Sequence, residues 1–123
     1  MIGLFVWAFS SGAQALGLSE KAELQAAMQR FIDRQSIDGV FPAIDSKNGD
    51  LLRLHPVTAH PMILQMGEDF VLCFDFRDKE GEDVPVDFYI ARKGESFVIF
   101  HTAARNRPLL HELMKAGKVS RVN

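Results

Sequence analysis

The chain has one cysteine, one tyrosine and one tryptophan, and no marked excess of either charge. With Cys73 alone, no intramolecular disulfide can form, so the fold has to rest on a hydrophobic core. Fourteen basic against sixteen acidic side chains leave a net charge of −2. The Lys and Arg residues are scattered, which argues against nucleic acid or an anionic membrane as the main partner, because both select a basic patch. Long apolar runs are missing: the run from Ile2 to Phe9 falls well short of the ~20 residues needed to span a bilayer. Catalytic signatures are missing too. There is no G-x-S-x-G elbow, no phosphate-cradling G-x-x-x-x-G-K or G-x-G-x-x-G, and no C-x-x-C or H-E-x-x-H spacing; His111-Glu112 continues as Leu113-Met114-Lys115. Nothing in these residues calls for a cofactor.

What is present is an apolar globular composition, 47% hydrophobic with ten Phe. A domain of 123 residues buries roughly two thirds of its unfolded surface, which is enough for one core and one domain. The stretch from Asp69 to Arg92 organises it. Phe70, Leu72, Phe74 and Phe76 alternate with Val71, Cys73, Asp75 and Arg77; after a charged break, Val84, Val86, Phe88 and Ile90 alternate with Pro85, Asp87, Tyr89 and Ala91. Period two in residues of this kind predicts a β-hairpin with one wholly apolar face. From Ser19 the period changes: Leu24, Ala27, Met28, Phe31 and Ile32 line one side of an amphipathic helix capped by Ser19 and stopped by Gly39. Its stripe is the natural cover for the Phe-rich face.

The remaining elements follow from turn chemistry. Val40 to Ile44 and Leu51 to Val57 read as a first hairpin across Asp45 to Asp50, with Pro42 and Pro56 placing these strands at an edge or ending them early. Thr58 to Gly67 reads as a connection. Phe97 to Thr102 reads as a further strand; pairing Arg92 with Phe97 sets Ile90 against Ile99, Tyr89 against Phe100 and Phe88 against His101. Asn106, Arg107 and Pro108 open a last short helix that Gly117 ends. The expected fold is α+β: an N-terminal amphipathic helix on a curved antiparallel sheet of about four to five strands, with a short C-terminal helix. One domain spans 19–119, and 120–123 is a tail.

At the N-terminus, the apolar run passes into small residues and the A-x-A pattern Ala13-Gln14-Ala15. This reads as a secretory signal peptide of residues 1–15, cleaved after Ala15, which sends the protein to the periplasm or outside the cell and leaves no integral membrane span. No Lys or Arg precedes the apolar core. The alternative is a buried N-terminal element of a cytoplasmic protein. Cys73 is too far from the cleavage site for a lipid anchor there.

The face of the hairpin opposite the Phe residues carries Asp75, Arg77, Asp87 and Tyr89. Asp75 and Asp87 fall opposite or diagonal to each other, near enough for each carboxylate to perturb the other. The alternative is a solvated sheet face with Arg77 or Arg92 as ion-pair partners. Asp87 with Tyr89 or His101 is the candidate acid/base set. His55, His60, Met62 and Met66 combine imidazole and thioether, the donors that suit copper(I); the plainer alternative makes the two Met side chains apolar filler. Cys73, mid-strand, reads as buried and inert.

With VLCFDFRDKEGEDVPVDFYIAR as its most distinctive string, the order of a helix followed by aromatic-rich hairpins resembles the cystatin-like and nuclear-transport-factor-like α+β folds. It also looks like small exported bacterial proteins built on that plan. The resemblance implies a long helix across a curved sheet, and the enzymes of the second type place an Asp and a Tyr or His in a cone between the two; Asp87, Tyr89 and His101 are candidates of that kind. Two functions are left open. One is an exported binding domain that takes a protein, a peptide, a small ligand or a second copy of itself through an exposed edge or through the face of Asp75, Arg77, Tyr89 and Phe100. The other is a small hydrolase or isomerase using Asp87 with Tyr89 or His101.

Overall fold

The alternating stretch folds as read. A computed structural model describes Gly3 and residues 16–122, so the expected signal peptide, apart from Gly3, lies outside the described residues. In chain order the elements are α1 (Leu18–Gln35), β1 (Phe41–Ile44), β2 (Leu51–Met66), β3 (Asp69–Arg77), β4 (Asp83–Lys93), β5 (Ser96–Ala104), α2 (Arg107–Lys115) and β6 (Ser120–Arg121). The strands form one six-stranded sheet in the order β1-β2-β3-β4-β5, every neighbour antiparallel, with β6 added to β2. No helix among the described residues is long and apolar enough to cross a membrane.

Between β3 and β4 the register sets Phe70 against Ile90, Leu72 against Phe88, Phe74 against Val86 and Phe76 against Val84. All eight side chains are buried in one cluster, and Leu24, Met28 and Ile32 of α1 close it. Phe31 meets Phe88 edge-on with ring centroids 5.8 Å apart, and Phe41 stacks on Phe76 at 5.1 Å. Such contacts add to the burial itself, because an aromatic edge is positive and a face negative.

The sheet curls around α1. The helix lies nearest the two outer strands, β5 and β1, filling the gap between them. At one end that gap closes: Asp45 bridges to Ala104 in parallel, and the Ser46 amide donates to the Ala104 carbonyl at 3.2 Å. Arg105 locks this corner. Its guanidinium lies 3.7 Å from Asp45 and 3.0 Å from Asp78. Each carboxylate also ends its own turn, Asp45 accepting from the Lys47 amide and Asp78 from those of Glu80 and Glu82. Three loops thus share one arginine, which the backbone holds in the left-handed region at φ 55°.

Several boundaries differ from the sequence reading. Gly17, not Ser19, is the N-cap of the helix, which stops at Gln35, where the Ser36 amide and hydroxyl both donate to the Ile32 carbonyl. Gly39 acts one turn later. With Asp38 at φ 52° and Gly39 at φ 80°, the pair forms a tight reversal closed by Ile37 and Val40, since only residues tolerant of positive φ can occupy both central positions. The segment expected as a connection, from Thr58 onward, belongs to β2. Proline does not end that strand because register shifts absorb it, one between Pro56 and Thr58 and another between Ala59 and Ile63. Pro42 does lie on an outer strand, β1. Ser120 and Arg121, expected as tail, pair with Gln65 and Leu64.

Truncating Phe88 to Ala removes a side chain that touches both α1 and β1, with an expected loss of about 3–5 kcal/mol. Against a total near 5–15 kcal/mol this approaches unfolding. Leu18→Ala, 87% exposed at the start of α1, is expected to stay within about 0.5 kcal/mol of wild type. Urea unfolding of the two variants measures the difference.

Candidate functional site

Because side chains alternate along a strand, burying the Phe residues of β3 and β4 turns Val71, Cys73, Asp87 and Tyr89 to the other face. The middle of that face is buried as well. α2 lies on it with Leu110 buried, and Leu109 and Leu113 partly so, against Leu64, Val71, Cys73, Tyr89, Ala103 and Val119. The proline near the start of α2 costs no helical hydrogen bond, since the first-turn amides have no partner in any case.

Asp87 sits in this second cluster and is 1% exposed. On the sheet its neighbours are Cys73 of β3 and Ala103 of β5. Its charge is met from above: Arg107 Nη2 of α2 lies 3.2 Å from Asp87 Oδ1. The pair neutralises itself but leaves hydrogen-bonding capacity over, since Asp87 Oδ1, Tyr89 Oη, Arg107 Nε and Arg107 Nη2 are all buried with no hydrogen-bond partner. Around it the acids stay protonated. Burial, then repulsion from Asp87, pushes the Cys73 thiol from an ordinary value near 9.0 up to about 12, although Arg107 opposes the rise. Burial and the same carboxylate push Tyr89 from near 10.0 up to about 12. A thiol held in that state is a poor nucleophile.

The other sequence candidates are distributed around this centre. Asp75 is diagonal to Asp87, its sheet partner being Pro85, and it pairs with His60 of β2 at 2.8 Å. Arg77 lies at the far end of β3 with Asp83, 3.3 Å away. His101 differs from expectation. The register runs as read from Arg92–Phe97 to Ile90–Ile99, then shifts, so His101 stands opposite Tyr89, not Phe88. The bulge leaves Phe100 and His101 both beside Tyr89, with ring centroids 6.4 and 5.4 Å away. Asp87, Tyr89 and His101 therefore share a face. Tyr89 Oη has no hydrogen-bond partner, so no bond links it to Asp87.

Among the four potential copper donors, His55 pairs across the sheet with Arg77 and Met66 with Asp69. These mark opposite ends of β3, roughly 26 Å apart at ~3.3 Å per residue. One ion cannot collect all four. Among the described residues no group of three or more His, Cys, Asp and Glu side chains is placed to hold a metal. Two clefts lie elsewhere: one of about 340 Å³ between β2 and the β3–β4 turn, with Arg53, Lys79 and Arg105 on its walls, and one of about 280 Å³ between Phe31, Phe41 and Ile44. Neither is lined by Asp87, Tyr89 or His101.

No protein-family model, curated protein or solved structure matches the chain. The site has to be read from its own chemistry.

Sequence reasoning missed Arg107, which it treated only as a helix start, and Arg105. It also missed the His60–Asp75 pair. A signal existed for Arg107: an acid in the middle of an otherwise apolar strand face needs a cation, and the next helix begins with one. The bulge at Phe100 left no such trace.

The raised thiol and phenol fix a sign for alkaline stability. Below pH ~9 both groups are protonated in the folded and the unfolded chain. Between there and pH ~12 the unfolded chain loses protons that the folded chain keeps, so stability falls as pH rises, by up to about 1.4 kcal/mol per pH unit for each group. Urea midpoints taken from neutral pH into that range are expected to drop, and the Tyr89→Phe and Cys73→Ala variants to drop less steeply. A flat profile in wild type would contradict the burial argument.

Proposed function

We propose that this chain is an exported interaction domain, built on an element order like that of the cystatin-like and nuclear-transport-factor-like folds, and that its first partner is a second copy of itself. The observation that carries this reading is a strip of β5: Val98 and Phe100 are 42% and 52% exposed, beside the buried ring of Tyr89. The run Phe97 to Thr102 contains no Asp, Glu, Lys or Arg. An uncharged strip can lie against its own copy across a two-fold axis without like-charge repulsion, with Val98 of each copy near Phe100 of the other. Much of the same face is covered by α2, which leaves this strip as the part to be covered from outside. The acid/base alternative has less support, since Asp87 is engaged by Arg107 and Tyr89 Oη bonds to nothing.

Cleavage after Ala15 would leave Leu16, which packs partly against the core, and Gly17 ahead of α1.

Sedimentation equilibrium at tens of micromolar is expected to find a dimer, and the Val98→Asp, Phe100→Asp double variant a monomer with an unchanged circular dichroism spectrum. A monomeric wild type would remove the self-association reading. For export, mass spectrometry of the chain made in a secretion-competent bacterial host is expected to give Leu16 as the first residue of the exported fraction. A product retained in the cytoplasm with residues 1–15 intact would contradict it.

A further inference from the structure

The contact between α2 and the sheet is unusual in what it leaves unused. Asp87 Oδ1, Tyr89 Oη, Arg107 Nε and Arg107 Nη2 are buried where α2 lies on the sheet, and none of the four makes a hydrogen bond within the described residues. Arg107 and Asp87 attract each other across 3.2 Å, but an ion pair that wastes its hydrogen-bonding directions recovers little of the cost of leaving water. The helix has few other holds. It is nine residues long, has no side-chain cap at Asn106, and fully buries Leu110 alone. A helix this short is not stable by itself in water.

The chain on either side is firmly tied. Before α2, Arg105 is gripped by Asp45 and Asp78. After it, Val119 is buried, Ser120 and Arg121 pair with β2, and the Val122 amide donates to the Ile63 carbonyl at 3.1 Å. Left-handed residues mark both joints, Arg105 at φ 55° and Gly117 at φ 74°. A weakly held segment between two pinned ends is the arrangement in which local opening separates from global unfolding.

We infer that residues 106–117 form a strap that lifts from the sheet while both its ends and the Phe-rich core stay in place, exposing Cys73, Asp87 and Tyr89 in a folded molecule. This goes beyond the self-association reading and does not depend on it. The Arg107–Asp87 pair is the latch. Its attraction sets how often the strap is open, and its unused hydrogen bonds keep that frequency well above the frequency of unfolding.

Cys73, the only cysteine, reports the opening directly. The comparison is with Val86→Cys in a Cys73→Ala background, because position 86 faces the α1 side of the sheet and is fully buried. Labelling of each thiol by iodoacetamide is followed at low urea. Cys73 is expected to react at least about tenfold faster than the cysteine at 86, with a shallower urea dependence because less surface is exposed. Arg107→Met leaves Asp87 buried and unpaired, and is expected to speed Cys73 labelling roughly tenfold or more without a matching change at position 86. Adding Asp87→Asn to Arg107→Met removes the uncompensated charge, and is expected to bring the rate back toward wild type. Equal rates and equal urea dependence at positions 73 and 86 in the wild-type strap would overturn the inference, whatever the latch variants do. So would a double variant that labels as fast as Arg107→Met, since the charge pair would then not be the latch.

Discussion

Everything in this molecule depends on the pairing of β3 with β4 in a single register. With Leu72 against Phe88 and Phe74 against Val86, four apolar side chains from each strand fall on one face and meet α1. The same register leaves no freedom on the other face, where Cys73 must lie against Asp87 and Val71 against Tyr89. A slip of one residue would turn one strand over and put either Asp75 or Asp87 into the Phe-rich core with nothing to pair it, a cost far greater than any gain outside. Core packing and the buried acid are therefore two consequences of one alignment.

The two faces differ in how completely their requirements are met. Inside, aromatic rings contact each other at ordinary separations in one buried cluster of apolar side chains. Outside, the buried carboxylate of Asp87 lies beside the cluster of Val71, Cys73, Tyr89 and Leu110 with the half-buried Arg107 as its counter-charge, and the neighbouring thiol and phenol answer by holding their protons. An apolar pair at 87 and 107 would commonly serve stability as well or better. The inner face accordingly supplies the stable part of the fold and the outer face the adjustable part.

What could be read in advance was whatever period and composition encode. The period-two runs located β3, β4 and most of β5, the helical stripe located α1, and Asn106-Arg107-Pro108 located α2. What could not be read depended on contacts distant in sequence. β2 continues through Pro56 and Pro61 because its neighbours tolerate bulges there, which no local pattern announces. His101 changed partners for the same reason, one extra residue at Phe100 having moved it from Phe88 to Tyr89. The site was half legible. Asp87 and Tyr89 were named from their alternation and do share a face; His101, set against Phe88 on the opposite face by the expected pairing, joins them only through the bulge. Arg107 escaped notice because a charge at a helix start has a sufficient local explanation, and Arg105 because its partners belong to two remote turns.

Tyr89 links the strap to the exposed strip of β5. One side of its ring belongs to the cluster beneath α2, and the other neighbours Phe100 and His101. A body resting on Val98 and Phe100 would restrict the ring, and a lifted α2 would free it, so the two proposed events act on one side chain. Their coupling has to be reciprocal: whatever strap opening does to the affinity of the strip, occupancy of the strip does to the opening equilibrium by the same factor. The sign follows from burial. If a partner covers Phe100 while Tyr89 is still seated, it adds contacts that the open state lacks, and association closes the strap. Cys73 would then be most accessible in the free chain and least in the assembled one.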